Sequence, residues 1–217
     1  DELLWSWSLQ QGLDAGTVDV GDANWAGVMV DDDGSEIMVV SVCEGLSIFG
    51  IDMATDEVVW TFGEDVGDLE LTQGDYPNIQ HGLDIQDRSV LFFDNGAAPT
   101  TRAVEYAIDS AAGTASQTWA WTEDGWRQWA WGDVDYLGED RILVGKSHLD
   151  NWGEDEGFTE VIEVQRADGS VPWRLTFSDV HDAIYSADRI GGCELFAEAS
   201  RCPDVQARLD ELSPWFE

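Results

Sequence analysis

The chain has 217 residues, 43% hydrophobic and 11% aromatic, enough apolar side chain for one sizeable folded core and too much for a disordered chain. Ten basic residues stand against 45 acidic ones, a formal net charge of −35 at pH 7, so the basic surface that nucleic acid or an anionic membrane demands is missing. No apolar run is long enough for a membrane-crossing helix, so no membrane insertion is expected.

Lys146 is the only lysine beside nine arginines. Such a balance suits a salty or calcium-rich medium, where counterions screen the carboxylates, and equally suits an ordinary solvated acidic surface. The opening DELLWSW has neither the basic nor the apolar region of a signal peptide, and the expectation is a mature secreted, periplasmic or cell-surface protein. Cys193 and Cys202, in CELFAEASRC, are placed for a local disulfide, whereas Cys43 lies in the apolar run MVVSVCEGLSIF and is expected as a buried thiol.

Along the chain, DELLWSWSL is expected as the last strand of a unit that begins upstream. Further strands are expected at 36–42, 46–52, 57–62, 89–94, 102–109, 115–121, 141–145, 159–165 and 170–177. Each is short, rich in β-branched and aromatic residues, and bounded by Gly, Asp or Asn. DAIYSADRI then reads as the first strand of a later unit. The closing CPDVQARLDELSPWF has apolar residues at 205, 209 and 212 behind Pro203 and reads as one short helix.

The strands recur in order. DDDG precedes EIMVVSV and the unit closes at Trp60; QDR precedes SVLFFDNG and closes at Trp119; GED precedes RILVGKS and closes at Trp173. The near-equal spacing leaves room for four short strands, with ATDE, SAAG and RADG joining the third to the fourth. The expected fold is therefore all-β: a β-propeller of about three complete four-stranded blades over residues 1–190, with half-blades at each end. A C-terminal disulfide loop and helix would follow over 191–217. Either further blades or a partner chain completes the ring, or the two half-blades pair as a fourth.

Several residues invite chemistry. His81 opens a strand in QHGLDIQ, where a structural histidine bonded to a neighbouring carboxylate is one reading. Asp94 and Asn95 form an Asp-Asn-Gly turn that conformation alone would explain. His181 reads as a loop histidine. Trp60, Trp119 and Trp173 fall where blades pack, whereas Trp126, Trp129 and Trp131 sit in a connection and are candidates for lining an opening. The acidic loops DDDGSE and DNWGEDEG offer Asp31, Asp33, Asp150 and Glu154 as weak calcium ligands; otherwise no cofactor is expected.

The segment QHGLDIQDRSVLFFDNGAAPTTRAVEYAID resembles the arylsulfotransferase (ASST-like) propellers: a His and a following Asp begin a strand, the next ends in Phe-Asp-Asn-Gly, and an Arg-x-x-x-Tyr-x-x-Asp strand follows. IFGIDMATDEVVWTFG and VIEVQRADGSVPWRL with IYSADRI agree, so the likeness runs from about residue 22 to 190 and covers the later part of a family member. The resemblance implies nucleotide-independent transfer of a sulfuryl group between phenols through a sulfohistidine, with aryl sulfates and phenols as small-molecule partners. It implies His81 as the nucleophile and Asn24 as an oxygen-positioning donor; His148, in GKSHLDNWG, and Lys146 are candidates for compensating donors from the next blade. The chain departs from the pattern at DANW, where Asp22 replaces a His, and at SVCEG, where Val42, Cys43 and Glu44 stand where an Arg is expected. Those changes favour an alternative, a non-catalytic extracellular binding or scaffold propeller.

Overall fold

The computed structural model describes residues 5–10, 12, 23–43, 47–65, 67–96, 100–147, 158–178 and 184–189. All thirteen strands lie in one unit, Asp1–Ala187; of a second unit, Asp188–Glu217, only Asp188 and Arg189 are described. Cys193, Cys202 and the expected C-terminal helix therefore lie outside the described residues.

The strands form three sheets, each built as a consecutive antiparallel meander. The first contains β1 (Ala23–Val30), β2 (Glu36–Val42), β3 (Ser47–Asp52) and β4 (Val58–Phe62). The second contains β6 (Gln80–Gln86), β7 (Ser89–Asp94), β8 (Arg102–Asp109) and β9 (Thr114–Trp121), with the short β5 (Glu70–Gln73) added parallel to β9. The third contains β10 (Asp133–Tyr136), β11 (Arg141–Ser147), β12 (Phe158–Gln165) and β13 (Trp173–Ser178).

Aspartates make the turns that the meander needs. Asp52 accepts the backbone N–H groups of Ala54 and Thr55, Asp109 that of Ala112, and Asp168 that of Ser170, so the third-to-fourth connection of every sheet is closed by a side-chain carboxylate. Part of the acidic surplus is thus turn chemistry.

Alternation then sorts each strand onto two faces. On β7, Val90 and Phe92 join Ile37, Val39, Trp60, Phe62, Val104 and Tyr106 between the first and second sheets. Leu91 and Phe93 join Trp121, Trp126, Val134, Ile142, Val144 and Ile162 between the second and third. Buried on both faces, β7 reads as a nearly continuous apolar run. Trp60 lies across Gly50, where a Cβ would come within 2.3 Å of the indole, so the large closing residue is accommodated by a glycine opposite it.

The first strands of the three sheets lie side by side, with β6 between β1 and β10. A Cβ on Gly27 of β1 would meet Ile85 at 2.9 Å and Leu83 at 3.4 Å, and one on Gly82 of β6 would meet Asp133 and the Val134 nitrogen. Glycine at both places lets backbones approach closely.

Two expected strands are corrected. Residues 5–8 form no strand: the Trp5 and Trp7 indoles donate to Asp56 in the β3–β4 turn, Trp5, Trp7 and Leu9 pack on Val42, Phe49 and Ile51, and Leu9 and Gln10 are helical. Residues 184–189 form none either, because Ile184, Ser186 and Ala187 bond to the side chains of Ser147 and Asp133 rather than to a strand edge.

A candidate active site at His81

His81 stands on β6 beside a bulge in the β6–β7 pairing, where Gly82 takes a φ of 48°. The side chain is 7% exposed, and its Nδ1 lies 2.7 Å from Asn95 Oδ1. Which group donates is settled one residue further out. The Asn95 amide NH₂ donates to the carbonyls of Gln128 at 2.8 Å and Trp131 at 2.9 Å, so its oxygen faces His81 and must accept. Nδ1 therefore carries the proton, and the lone pair of the neutral ring sits on Nε2.

Burial pushes the imidazole pKa below its ordinary 6.5, against the hydrogen bonds to Asn95 and the Ile79 backbone that favour the charged ring. At neutral pH the ring is uncharged, the state a nitrogen nucleophile needs.

Asn95 is held from several sides. Asp94 Oδ1 accepts the N–H groups of Asn78 and Gly96, Asp94 Oδ2 accepts Arg102 Nε at 2.7 Å, and Gly96 takes the positive φ of the Asp-Asn-Gly turn. Gln128, fully buried, receives the Thr101 hydroxyl on its carbonyl, gives its N–H to that hydroxyl and accepts Ser147 N–H on its side chain. The 122–132 connection is thereby tied to both the second and third sheets. Trp126 is fully buried against Phe93 and Trp121, Trp129 is 37% exposed, and Trp131 with φ 61° presents its carbonyl to Asn95. Gln128 had no sequence signal beyond lying between two predicted strands, and Trp131, singled out for its ring, contributes its backbone carbonyl instead.

Asn24 on β1 reaches the same place: its Nδ2 donates to the carbonyl of Gln80, the residue before His81, at 3.0 Å. Its Oδ1 is buried and accepts from no described group. Gln80 is fully buried and donates to the carbonyls of Val42 and Ser47, stitching β6 to the first sheet. Cys43, one residue beyond β2, is a free thiol but only half-buried, not the buried one expected, because it sits in the turn that follows the strand.

Lys146 does not serve as a free donor. Fully buried, it pairs with Glu123 and with Glu160 at 3.0 Å and lies 5.4 Å from the centroid of the Trp126 ring, while Arg174 pairs with the same two carboxylates. Although burial opposes ionisation, Arg174, Lys146 and Thr176 together hold the Glu160 carboxyl below the ordinary range. Asp31 and Asp33 are likewise engaged, the first by Asp32 N–H and the Ser110 hydroxyl, the second by Ser35 N–H. Among the described residues no three His, Cys, Asp or Glu side chains gather as a metal site requires. His148, His181, Asp22, Glu44, Asp150 and Glu154 lie outside the described residues. A surface hollow lined by Trp5, Gly34, Ser35, Glu36, Met53 and Ala54 includes none of the residues around His81.

The chain is thus an all-β protein of meander sheets that carries a buried histidine on β6, an edge strand of its sheet that lies between β1 and β10. The sequence model of the arylsulfotransferase (ASST) family matches residues 4–186, and the chain belongs to that family. No curated protein matches it. Among solved structures it is similar to the hydrazine synthase of Kuenenia stuttgartiensis, at 14% identity and a TM-score of 0.37, over 70% of this chain and 48% of that one. The chain therefore spans about half the length of the solved structure it matches.

Proposed function

We propose that this chain forms blades of a secreted β-propeller that transfers a sulfuryl group between phenols, with His81 as the nucleophile. One observation carries the reading: Asn95, its orientation fixed by the Gln128 and Trp131 carbonyls, accepts the hydrogen bond from Nδ1–H and leaves the Nε2 lone pair on a neutral ring. Family membership supports the reaction class. The side-by-side first strands and consecutive four-stranded meanders support the propeller.

In the first half-reaction Nε2 attacks sulfur, the N–S bond forms, the S–O bond to the aryl group breaks, and the phenolate leaves with the electron pair. As sulfur is attached, the Nδ1–H bond to Asn95 stabilises the positive charge that develops on the ring. A second phenol then attacks sulfur, the N–S bond breaks, and the phenol's proton passes through solvent to the departed phenolate. Asn24 donates one amide hydrogen to the Gln80 carbonyl, and its second N–H is the group that would orient an oxygen of the bound ester.

A binding propeller without turnover is favoured by a separate observation. Arg88, Arg102, Arg141, Arg166, Arg174 and Lys146 are each paired with a carboxylate, so none of these six offers an unneutralised charge to a sulfonate. The two readings separate by incubating the protein with 4-nitrophenyl sulfate and analysing peptides by mass. Addition of one SO₃ to the His81 peptide supports transfer, and an unmodified peptide from folded protein supports binding alone.

A further inference from the structure

The side chain of Gln128 has no exposed surface, and both ends of its amide are engaged inside the protein. Oε1 accepts the N–H of Ser147 at 2.6 Å, and Nε2 donates to the carbonyl of Ala130 at 3.1 Å. Neither role can be reversed, because a backbone N–H only donates and a carbonyl only accepts. The first bond reaches the end of β11 in the third sheet. The second stays within the loop and fixes the peptide between Ala130 and Trp131. That peptide leads into Trp131 at a φ of 61°, the left-handed region that a bulky side chain seldom adopts. Held there, Trp131 turns its carbonyl onto the Asn95 amide at 2.9 Å, beside the Gln128 carbonyl at 2.8 Å. Thr101, also fully buried, closes the other side: its hydroxyl accepts the Gln128 N–H at 2.7 Å and shares its own proton between the Gln128 and Asn95 carbonyls.

We infer that Gln128 is a positioning residue of the His81 site: its side-chain amide locks the 128–131 turn in the arrangement that aims two carbonyls at Asn95, and through Ser147 it makes the proton on His81 depend on the third sheet. Hydrogen-bond direction carries the effect inward. With both carbonyls in place, the Asn95 amide NH₂ has two acceptors, and its oxygen is left to face Nδ1 of His81 at 2.7 Å. Without the bond to Ala130, Trp131 relaxes toward an ordinary negative φ, its carbonyl swings away, and the amide keeps one acceptor instead of two. An Asn95 amide turned over points an N–H at Nδ1, which must then accept. The ring proton moves to Nε2, the nitrogen whose lone pair sulfuryl transfer uses. A glutamine with a merely structural role would add stability and leave the ring proton where it is. The consequence for transfer rests on His81 as the nucleophile; the effect on the tautomer does not.

The tautomer can be read apart from turnover. Proton–nitrogen correlation NMR on protein carrying ¹⁵N-histidine, at neutral pH, distinguishes a ring protonated at Nδ1 from one protonated at Nε2, and the His81 signals are assigned by their loss in His81→Ala. Wild type is compared with Gln128→Met, Gln128→Asn and Tyr136→Phe, each first checked for wild-type circular dichroism. Methionine fills the space without making either bond. Asparagine keeps an amide that is too short to span Ala130 and Ser147, and supplies a folded sample should the methionine variant not fold. Tyr136→Phe removes a buried hydrogen bond to Glu105 between the same two sheets and reports on lost stability alone. Wild type and Tyr136→Phe should be protonated at Nδ1, and both Gln128 variants should hold about half or more of the ring in the Nε2–H form. A folded Gln128 variant still protonated at Nδ1 alone overturns the inference, as does the same mixture in Tyr136→Phe. A tautomer that follows Gln128 in a protein that never sulfates His81 sinks the transfer reading alone, while SO₃ transfer with a tautomer indifferent to Gln128 sinks this one alone.

Discussion

At the scale of residues, the chemistry turns on which ring nitrogen of His81 holds the proton, and that is decided by an asparagine whose own amide is spoken for by two carbonyls. Replacing Asn95 by Ala frees the tautomer and takes one hydrogen bond from each of the Gln128 and Trp131 carbonyls; sulfuryl transfer should fall about a hundredfold in initial-rate assays. Asn95→Asp is the sharper test, because a carboxylate beside Nδ1 favours the imidazolium and raises the His81 pKa by about 1–3 units. The wild-type ring titrates below 6.5, so the rate should hold at neutral pH and decline only on acidification past that lowered value. In Asn95→Asp the acid limb should move upward, and a pH profile unchanged by the substitution would remove Asn95 from the mechanism.

At the scale of elements, the strands with an apolar face were legible and the polar ones were not. The nine strands expected from β-branched and aromatic runs all form; eight of them bury apolar side chains, whereas β13 pairs with β12 and leaves Leu175 and Phe177 exposed. β5 and β10, ELTQ and DVDY, are four-residue pieces whose pairing is imposed by β9 and β11; β1, ANWAGVMV, is largely apolar yet lies mostly exposed or half-buried, with Met29 alone of its eight residues buried. His81 and Asn24 could be found because a dense motif surrounds the first and the resemblance names the second; Gln128 could not, since nothing local marks a loop glutamine as buried. Close approach at Gly82 is an element-level demand: Gly82→Ala would place a Cβ 2.8 Å from the Asp133 Cα at a φ of 48°, so chemical denaturation should show a loss of about 2 kcal/mol. Lys146 is a second such demand, a lone buried ammonium shared by Glu123 and Glu160. Lys146→Met leaves Glu160 with the Arg174 charge and the Thr176 hydroxyl and should cost about 3 kcal/mol by the same measurement.

At the scale of the whole molecule, charge governs. With a formal charge of −35, the folded state confines carboxylates that the unfolded chain would spread apart, so added salt should stabilise it. The melting temperature should rise between 0.1 and 1 M NaCl, a range over which the screening length shrinks from about 10 to about 3 Å. A falling melting temperature would mean that the ion pairs around Glu160 and Glu123 outweigh the repulsion. Those two carboxyls, both held below their ordinary value of 4.5, contribute stability that is present above that pH and lost as the pH drops through their folded pKa values. The central claim, that a neutral His81 accepts and passes on a sulfuryl group, is tested most directly by following 4-nitrophenol release from 4-nitrophenyl sulfate with phenol present, wild type beside His81→Ala. Release by wild type that vanishes in a folded His81→Ala protein is the predicted result, and equal release by both, or none by either, contradicts the account.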